Sequence, residues 1–325
     1  MSQNTSQTLK NIKVDKHTGI KVFAPASVAN VACGYDVLGF ALEKPGDEII
    51  VRYSDTPGLR ITKITGTKKK LPLDVEGNTA GVAALRLLES LGKTDIGIEM
   101  EIHKKMPFGS GLGSSAASAV AGAMAVNELL GRPYEKRELL PFAVMGERVA
   151  SGAIHADNVA PSLLGGFTLV RDSLTYDIAR LSVPRGLYAV VVYPHVEILT
   201  AEARAILSPT VPLENMVQQS ANLGALVIGL YNSDFGLIRR ALKDVVIEPQ
   251  RAKLIPHFYD VQNAALVEGA LGCSISGSGP SIFALCDNSL IAENVGNAMS
   301  KIFKENKIES ELFISPINQE GAKLI

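Results

Sequence analysis

Pro107-Phe-Gly-Ser-Gly-Leu-Gly-Ser-Ser-Ala-Ala117 runs directly into a helix of small residues, and its reading decides the fold. Gly109, Gly111 and Gly113 supply a backbone that takes positive φ and approaches a ligand closely. Ser114 and Ser115 are placed to cap the helix that Ala116, Ala117, Ala119, Val120, Ala123 and Ala125 continue. A helix start exposes unpaired N–H groups and the positive end of the macrodipole, so the stretch is built to receive an anion, phosphate above all. Gly131, followed by Pro133, ends the helix.

Other readings of the same stretch are weaker. Residues 106–127 carry no charge, as a membrane span would, but four serines and four glycines make a poor span. Gly111-Leu112-Gly113-Ser114-Ser115-Ala116 fits a dinucleotide-binding pattern after a strand at 97–103. That pattern requires a second strand ending in an acidic residue about twenty positions on, and residues 134–151 read as a helix instead. A P-loop requires Gly-Lys-Ser/Thr at the helix start, and no lysine lies between Lys105 and Lys136. The bland alternative is a glycine-rich turn feeding a tightly packed buried helix.

A chain of 325 residues is long enough for two domains with a substantial core. Its 46% hydrophobic and 20% charged residues are ordinary for a globular protein, and a net charge of −1 gives no reason to expect nucleic acid or a membrane surface as partner. Cys33, Cys273 and Cys286 form no Cys-x-x-Cys pair and no zinc-like spacing, which suits a reducing cytoplasm. Residues 1–18 are polar, without the apolar core of a signal peptide, and read as a frayed tail.

Strands are expected at 20–25, 48–53, 59–64 and 97–103, with a small-residue loop over 28–40. Helices are expected at 78–91 and, as one piece, at 134–151; Lys68, Lys69 and Lys70 read as a solvated turn. A strand at 165–170 precedes a seam around Pro184-Arg185-Gly186. Beyond it come a strand at 187–192 and helices at 201–207, 213–231, 235–242 and 256–268. Strands at 271–276 and 281–285, a helix at 290–305 and a closing strand at 311–315 follow. The mixture lacks regular βαβ alternation, so an α+β fold in two lobes is expected, a first domain over 19–185 and a second over 186–325.

The loop resembles the ATP-binding motif of the GHMP small-molecule kinases. Ala24-Pro-Ala-Ser-Val-Ala-Asn-Val-Ala-Cys-Gly-Tyr-Asp36 resembles the first motif of that family, and Ser274-Ile-Ser-Gly-Ser-Gly-Pro-Ser-Ile-Phe-Ala-Leu285 the third. Three motifs in order, within residues 20–325, imply an α+β N-terminal domain with a glycine-rich phosphate loop and a ferredoxin-like C-terminal domain. Within the family the chain is most similar to the homoserine kinases, through Ser27-Val-Ala-Asn30, His155-Ala-Asp-Asn158, Thr200-Ala-Glu-Ala-Arg204 and Glu248-Pro-Gln-Arg251.

That resemblance implies ATP and L-homoserine as substrates, Mg2+ as the metal, and threonine biosynthesis as the setting. It places ATP against Asn78, Pro107, Gly109, Ser110, Gly111, Leu112, Gly113, Ser114, Ser115 and Ala116, and Mg2+ on Ser115 and Glu147. A zwitterionic acceptor needs an acid and a cation: Asp36 for the ammonium, Arg204 and Arg251 for the carboxylate. Asn30, His155, Asn158 and Thr200 complete the pocket. Where related kinases place an Asp beside the hydroxyl, this chain has Asn158, an amide that cannot act as a base, so transfer without a protein base is expected. Asn78 has an equally good local role as the cap of its own helix. A mevalonate- or sugar-type kinase and a non-catalytic sensor of the same fold are the rival readings. A homodimer through exposed strand edges of the second lobe is chemically open.

Overall fold

The structure, a computed structural model, describes residues 19–67, 70–152 and 155–325; the tail read over 1–18 and the lysines at 68 and 69 lie outside the described residues. The first lobe is built from β1 (Ile20–Ala29), β2 (Leu38–Tyr53), β3 (Leu59–Thr65), α1 (Thr79–Ser90), β4 (Ile98–His103), α2 (Ser114–Leu129), α3 (Leu140–Ser151), α4 (Val159–Leu164), β5 (Phe167–Asp172) and β6 (Asp177–Leu181). The second contains β7 (Tyr188–Pro194), α5 (Thr200–Ala205), α6 (Leu213–Asn232), α7 (Phe235–Ala241), α8 (Glu248–Arg251), α9 (Phe258–Val267), β8 (Gly272–Ile275), β9 (Ile282–Cys286), α10 (Ser289–Glu305) and β10 (Ser310–Pro316). A short β11 (Lys323–Leu324) ends the chain.

The seven-stranded sheet of the first lobe runs β11-β1-β2-β4-β3, with β5 and β6 extending from β2. Only β3 and β4 pair in parallel; the other ladders are antiparallel. The loop expected over 28–40 is shorter than predicted, because β1 continues to Ala29 and β2 begins at Leu38 to pair with β5. What is left of it is strained: Asn30, Val31, Ala32 and Asp36 all have positive φ, which Val and Ala adopt only under constraint.

α2 lies at the centre of the lobe, with Ala116 through Val126 buried nearly all round. Its small residues permit close packing: a Cβ on Gly122 would come within 2.5 Å of the Ala80 carbonyl on α1. The bland reading of a buried helix is therefore true alongside the functional one. The single helix expected at 134–151 is broken into a 3-10 turn at Lys136–Leu139 and α3, since Pro141 lacks the N–H that a continuous helix would use.

In the second lobe the order β10-β7-β9-β8 is fully antiparallel. Numbered within the lobe it reads fourth-first-third-second, with helices between first and second and between third and fourth, which is the ferredoxin-like arrangement. One face is covered by α9 and α10 through Val190, Val192, Phe258, Val261, Val295, Met299 and Phe303. The other meets the first lobe, where Phe283 of β9 packs edge-on against Phe40 of β2 at 5.8 Å and Phe40 against Phe167 at 4.8 Å. The core is thus continuous across the lobes. The chain then returns: β11 pairs β1, and Asn318 accepts from Gly166 and donates to Ala41 through its backbone.

Candidate active site

The glycine loop sits where the two lobes meet. Ser27 donates its N–H to the Leu112 carbonyl at 3.0 Å, and Ser276 its hydroxyl to the Gly111 carbonyl at 2.7 Å. The Ser281 N–H reaches the Ser110 carbonyl at 3.2 Å. A Cβ on Gly111 would stand 2.5 Å from the Ser276 carbonyl, and one on Gly113 would stand 2.2 Å from Ser27 Oγ and 2.8 Å from Asn158 Oδ1. Only glycine fits at either position. Ser110 and Leu112 are buried within the loop, and the Ser110 hydroxyl donates to the Pro107 carbonyl at 2.9 Å.

The capping expectation is corrected here. The N-cap of α2 is Gly113, at φ 65°, and no side chain caps the helix. A serine cap would have occupied the N–H groups an anion needs; a glycine cap leaves them available. Ser114 Oγ is buried and has no partner among the described residues, an orphaned donor beside the helix start that an anionic ligand would satisfy. Ser115 Oγ instead donates to Glu147 Oε1 at 2.9 Å, reaching from α2 to α3.

Glu147 is half-buried, but its Oε2 is shut off from solvent. Burial pushes its carboxyl up to about 7, against the opposing hydrogen bond from Ser115. Asp157 is pushed up to about 7 as well, by burial first and then by the negative charge of Asp36. Among the described residues no group of three His, Cys, Asp or Glu side chains could hold a metal by itself. One carboxylate and one hydroxyl, 2.9 Å apart at the end of an anion loop, nevertheless fit magnesium, which prefers hard oxygen ligands and keeps waters and phosphate oxygens for the rest.

Across the loop lies a charged pocket. Asp36 on the β1–β2 loop and Arg204 on α5 form a forked pair with contacts of 3.1 to 3.3 Å, joining residues 168 apart in sequence. His155 Nδ1 stands 3.9 Å from Asp36, and burial holds its imidazole below the usual range despite that neighbour. His155 Nε2 is buried without a hydrogen-bond partner among the described residues, so the pocket is short of one polar group. Thr200 Oγ1 lies 3.3 Å from Ser278 Oγ at the mouth. Asn30 Nδ2 donates to the Gly277 carbonyl at 2.7 Å while its Oδ1 accepts the Asp36 N–H, so Asn30 pins the strained loop to the second lobe. Asn158 accepts from Ser27 Oγ at 2.8 Å, beside Gly113.

Two expected residues also have structural work. Arg251 ends α8, is only 3% exposed, and donates to the Ala203 and Gly277 carbonyls at 2.9 and 3.1 Å. It therefore holds α5 and the third motif together. Asn78 accepts from the N–H groups of Ala80 and Gly81 and donates one amide proton to the Pro72 carbonyl, so it caps α1.

Sequence reading missed Tyr35, whose ring lies 5.7 Å from the Arg204 guanidinium and 5.1 Å from that of Arg251. It also missed Lys104 and Asp47, which lie buried beneath the first turn of α2. The only signal for Lys104 was its place directly after β4, just before the loop.

Residues 78–166 match the sequence model of the GHMP kinases N terminal domain, and residues 226–305 that of the GHMP kinases C terminal domain. The chain is 49% identical to the homoserine kinase of Chloroherpeton thalassium over 314 residues, covering 93% of this chain and 98% of that one. The crystal structure of homoserine kinase from Cytophaga hutchinsonii superposes with a TM-score of 0.92 at 53% identity, over 99% of this chain and 100% of that one. The mevalonate kinase of L. major matches with a TM-score of 0.71 at 16% identity over 94% and 98% of the two chains, a likeness of fold.

Proposed function

From the premise that this chain belongs to the GHMP kinases, we propose that it transfers the γ-phosphoryl group of ATP to the side-chain hydroxyl of L-homoserine, giving O-phospho-L-homoserine for threonine biosynthesis. The observation that carries the substrate is the Asp36–Arg204 pair, an acid and a forked cation facing each other beside the phosphate loop. A zwitterionic amino acid replaces each member of that pair as partner of the other, ammonium to Asp36 and carboxylate to Arg204. Mevalonate has no ammonium for Asp36 to hold. Arg251 supports this exchange by fixing α5, and Thr200, Asn30 and His155 bound the pocket.

The phosphates of ATP lie on the uncapped start of α2 and the backbone of residues 109–116, with the adenosine on the first-lobe side. Ser115 and Glu147 would hold Mg2+, which would supply charge neutralisation for the transferring phosphoryl group. The rest is positioning. Asn158, its Oδ1 committed to Ser27, keeps its Nδ2 protons for the acceptor oxygen, and the helix dipole of α2 favours the charge that gathers there. With Asn158 unable to take a proton, the hydroxyl attacks directly and its proton leaves with the phosphate or to solvent.

Asp157 is buried and adjacent, and its raised pKa makes it a candidate base by chemistry alone. Its replacement by Asn is expected to leave kcat within about tenfold, as for a side chain not in line with the hydroxyl. A loss of several orders of magnitude in kcat, with the fold intact by circular dichroism, would make Asp157 the base.

The reading is tested by coupled ADP release with Mg2+ and ATP, comparing L-homoserine, mevalonate, galactose and no acceptor. Release with L-homoserine alone, and O-phosphohomoserine as product, is the expected result. Release only with another alcohol moves the substrate assignment. Folded protein that binds ATP and releases nothing with any acceptor supports the sensor reading.

No helix among the described residues is long and apolar enough to cross a membrane, and all three cysteines are buried and free. Buried free thiols suit the reducing cytoplasm expected for this chain. For self-association, the four residues of the edge strand β8 are buried, whereas α6 exposes Leu213, Met216, Val217, Ile228 and Tyr231. The other edge strand, β10, is partly exposed, so a homodimer has a strand edge as well as α6 to use; sedimentation of wild type against Val217→Glu checks the helix, and a monomer in the variant only is expected where α6 carries the contact.

A further inference from the structure

We infer that Lys104 is a positioning residue for the phosphates of ATP, acting through the Ser114–Ser115 peptide without touching them; the inference rests on the phosphate site proposed above. Lys104 directly follows β4 and is buried, with 6% exposure. Its three protons find three acceptors: the Asp47 carboxylate, the Ser114 carbonyl at 2.9 Å and Ser118 Oγ at 2.7 Å. Ser118 in turn donates to Asp47 Oδ2 at 3.0 Å, and the Lys105 N–H donates to Asp47 Oδ1 at 2.9 Å. The network is closed, and Asp47 is fully buried within it.

The geometry decides what this network does. A peptide unit is planar, so a bond that fixes its carbonyl also fixes its N–H, which points the opposite way. The carbonyl that Lys104 holds belongs to Ser114, and the N–H of the same unit is that of Ser115, in the first turn of α2. In a helix, N–H groups point to the N-terminus, here toward the anion site. A cation on the carbonyl end polarises the unit and strengthens the donor at the other. The same grip settles the backbone of Ser115, whose hydroxyl meets Glu147. A P-loop sets its lysine on the phosphates; this chain has none in the loop and sets one behind the loop's helix.

Two variants test it, each followed by ATP affinity in equilibrium titration, both KM values, kcat and thermal unfolding. Lys104→Met with Asp47→Asn removes both charges together, and Ser118→Ala removes one bond while leaving the ion pair. The double variant is expected to weaken ATP binding and raise the ATP KM by tenfold or more, with the homoserine KM changed less than twofold. Ser118→Ala should move the same two quantities in the same direction by a few-fold. A network that only stabilises the fold would lower the unfolding temperature and leave ATP affinity unchanged, or raise both KM values alike. Either result overturns the inference, and should the double variant not fold, unchanged ATP affinity in Ser118→Ala does so alone. Wild-type protein that binds no ATP overturns the proposed function and this inference with it.

Discussion

Glu147→Ala is expected to lower kcat by about a thousandfold, near 4 kcal/mol of transition-state stabilisation, while homoserine binding stays measurable by calorimetry. The physical reason is narrow. The site offers one carboxylate and one hydroxyl to a divalent cation, and Glu147 is the carboxylate. Among the described residues no group of three His, Cys, Asp or Glu side chains could hold a cation in its place. Glu147 also carries a pH signature. Burial raises its carboxyl to about 7, and only the ionised form binds a cation. Below about pH 7 the proton and the metal compete, so the Mg2+ concentration for half-maximal activity should rise about tenfold per pH unit, and should level off above pH 7. A variant with kcat within tenfold of wild type would remove Glu147 from the metal, and a flat Mg2+ requirement between pH 5.5 and 7 would remove its ionisation from the rate.

The second large effect belongs to the charged pocket. Arg204→Leu should raise the homoserine KM by about a hundredfold or more and the ATP KM by less than threefold, because a forked guanidinium–carboxylate contact with a ligand costs about 2 to 5 kcal/mol to truncate. Asp36→Asn should show the same selectivity from the other end of the substrate. The two residues now bond each other, so their combination is informative. In a double-mutant cycle the second substitution should cost less than it does alone, since each single change also strands its partner's charge. Equal effects of Arg204→Leu on both KM values would take Arg204 out of the amino-acid pocket and leave the pair as a strut between the lobes.

Much of this was legible in sequence because it is local. Gly111 and Gly113 announce a backbone that crowds something, and the structure shows what: the Ser276 carbonyl and the Ser27 and Asn158 side chains. The start of α1 followed from its capping residue Asn78. Misreadings arose where a local rule met a tertiary demand. Ser114 and Ser115 are good capping residues by propensity, yet Ser115 is drawn to Glu147 and the cap falls to Gly113. That Arg251 is buried was not legible either: Pro249 lies in the short α8, which turns the guanidinium inward.

By itself the sequence determined the anion loop, the two lobes and membership of a kinase family, because each depends on contiguous residues: glycine spacing, hydrophobic period and three ordered motifs. Only the tertiary structure decided which charges meet. Asp36 and Arg204 are 168 positions apart, Asn30 and the Gly277 carbonyl 247, and Lys104 and Asp47 57. No periodicity reports such separations. The third is set by the antiparallel β2–β4 ladder, where Glu48 pairs with His103. The first two are set by how the ferredoxin-like lobe docks on the first sheet through Phe40 and Phe283, and that docking depends on buried apolar shape rather than on the charged residues it brings together.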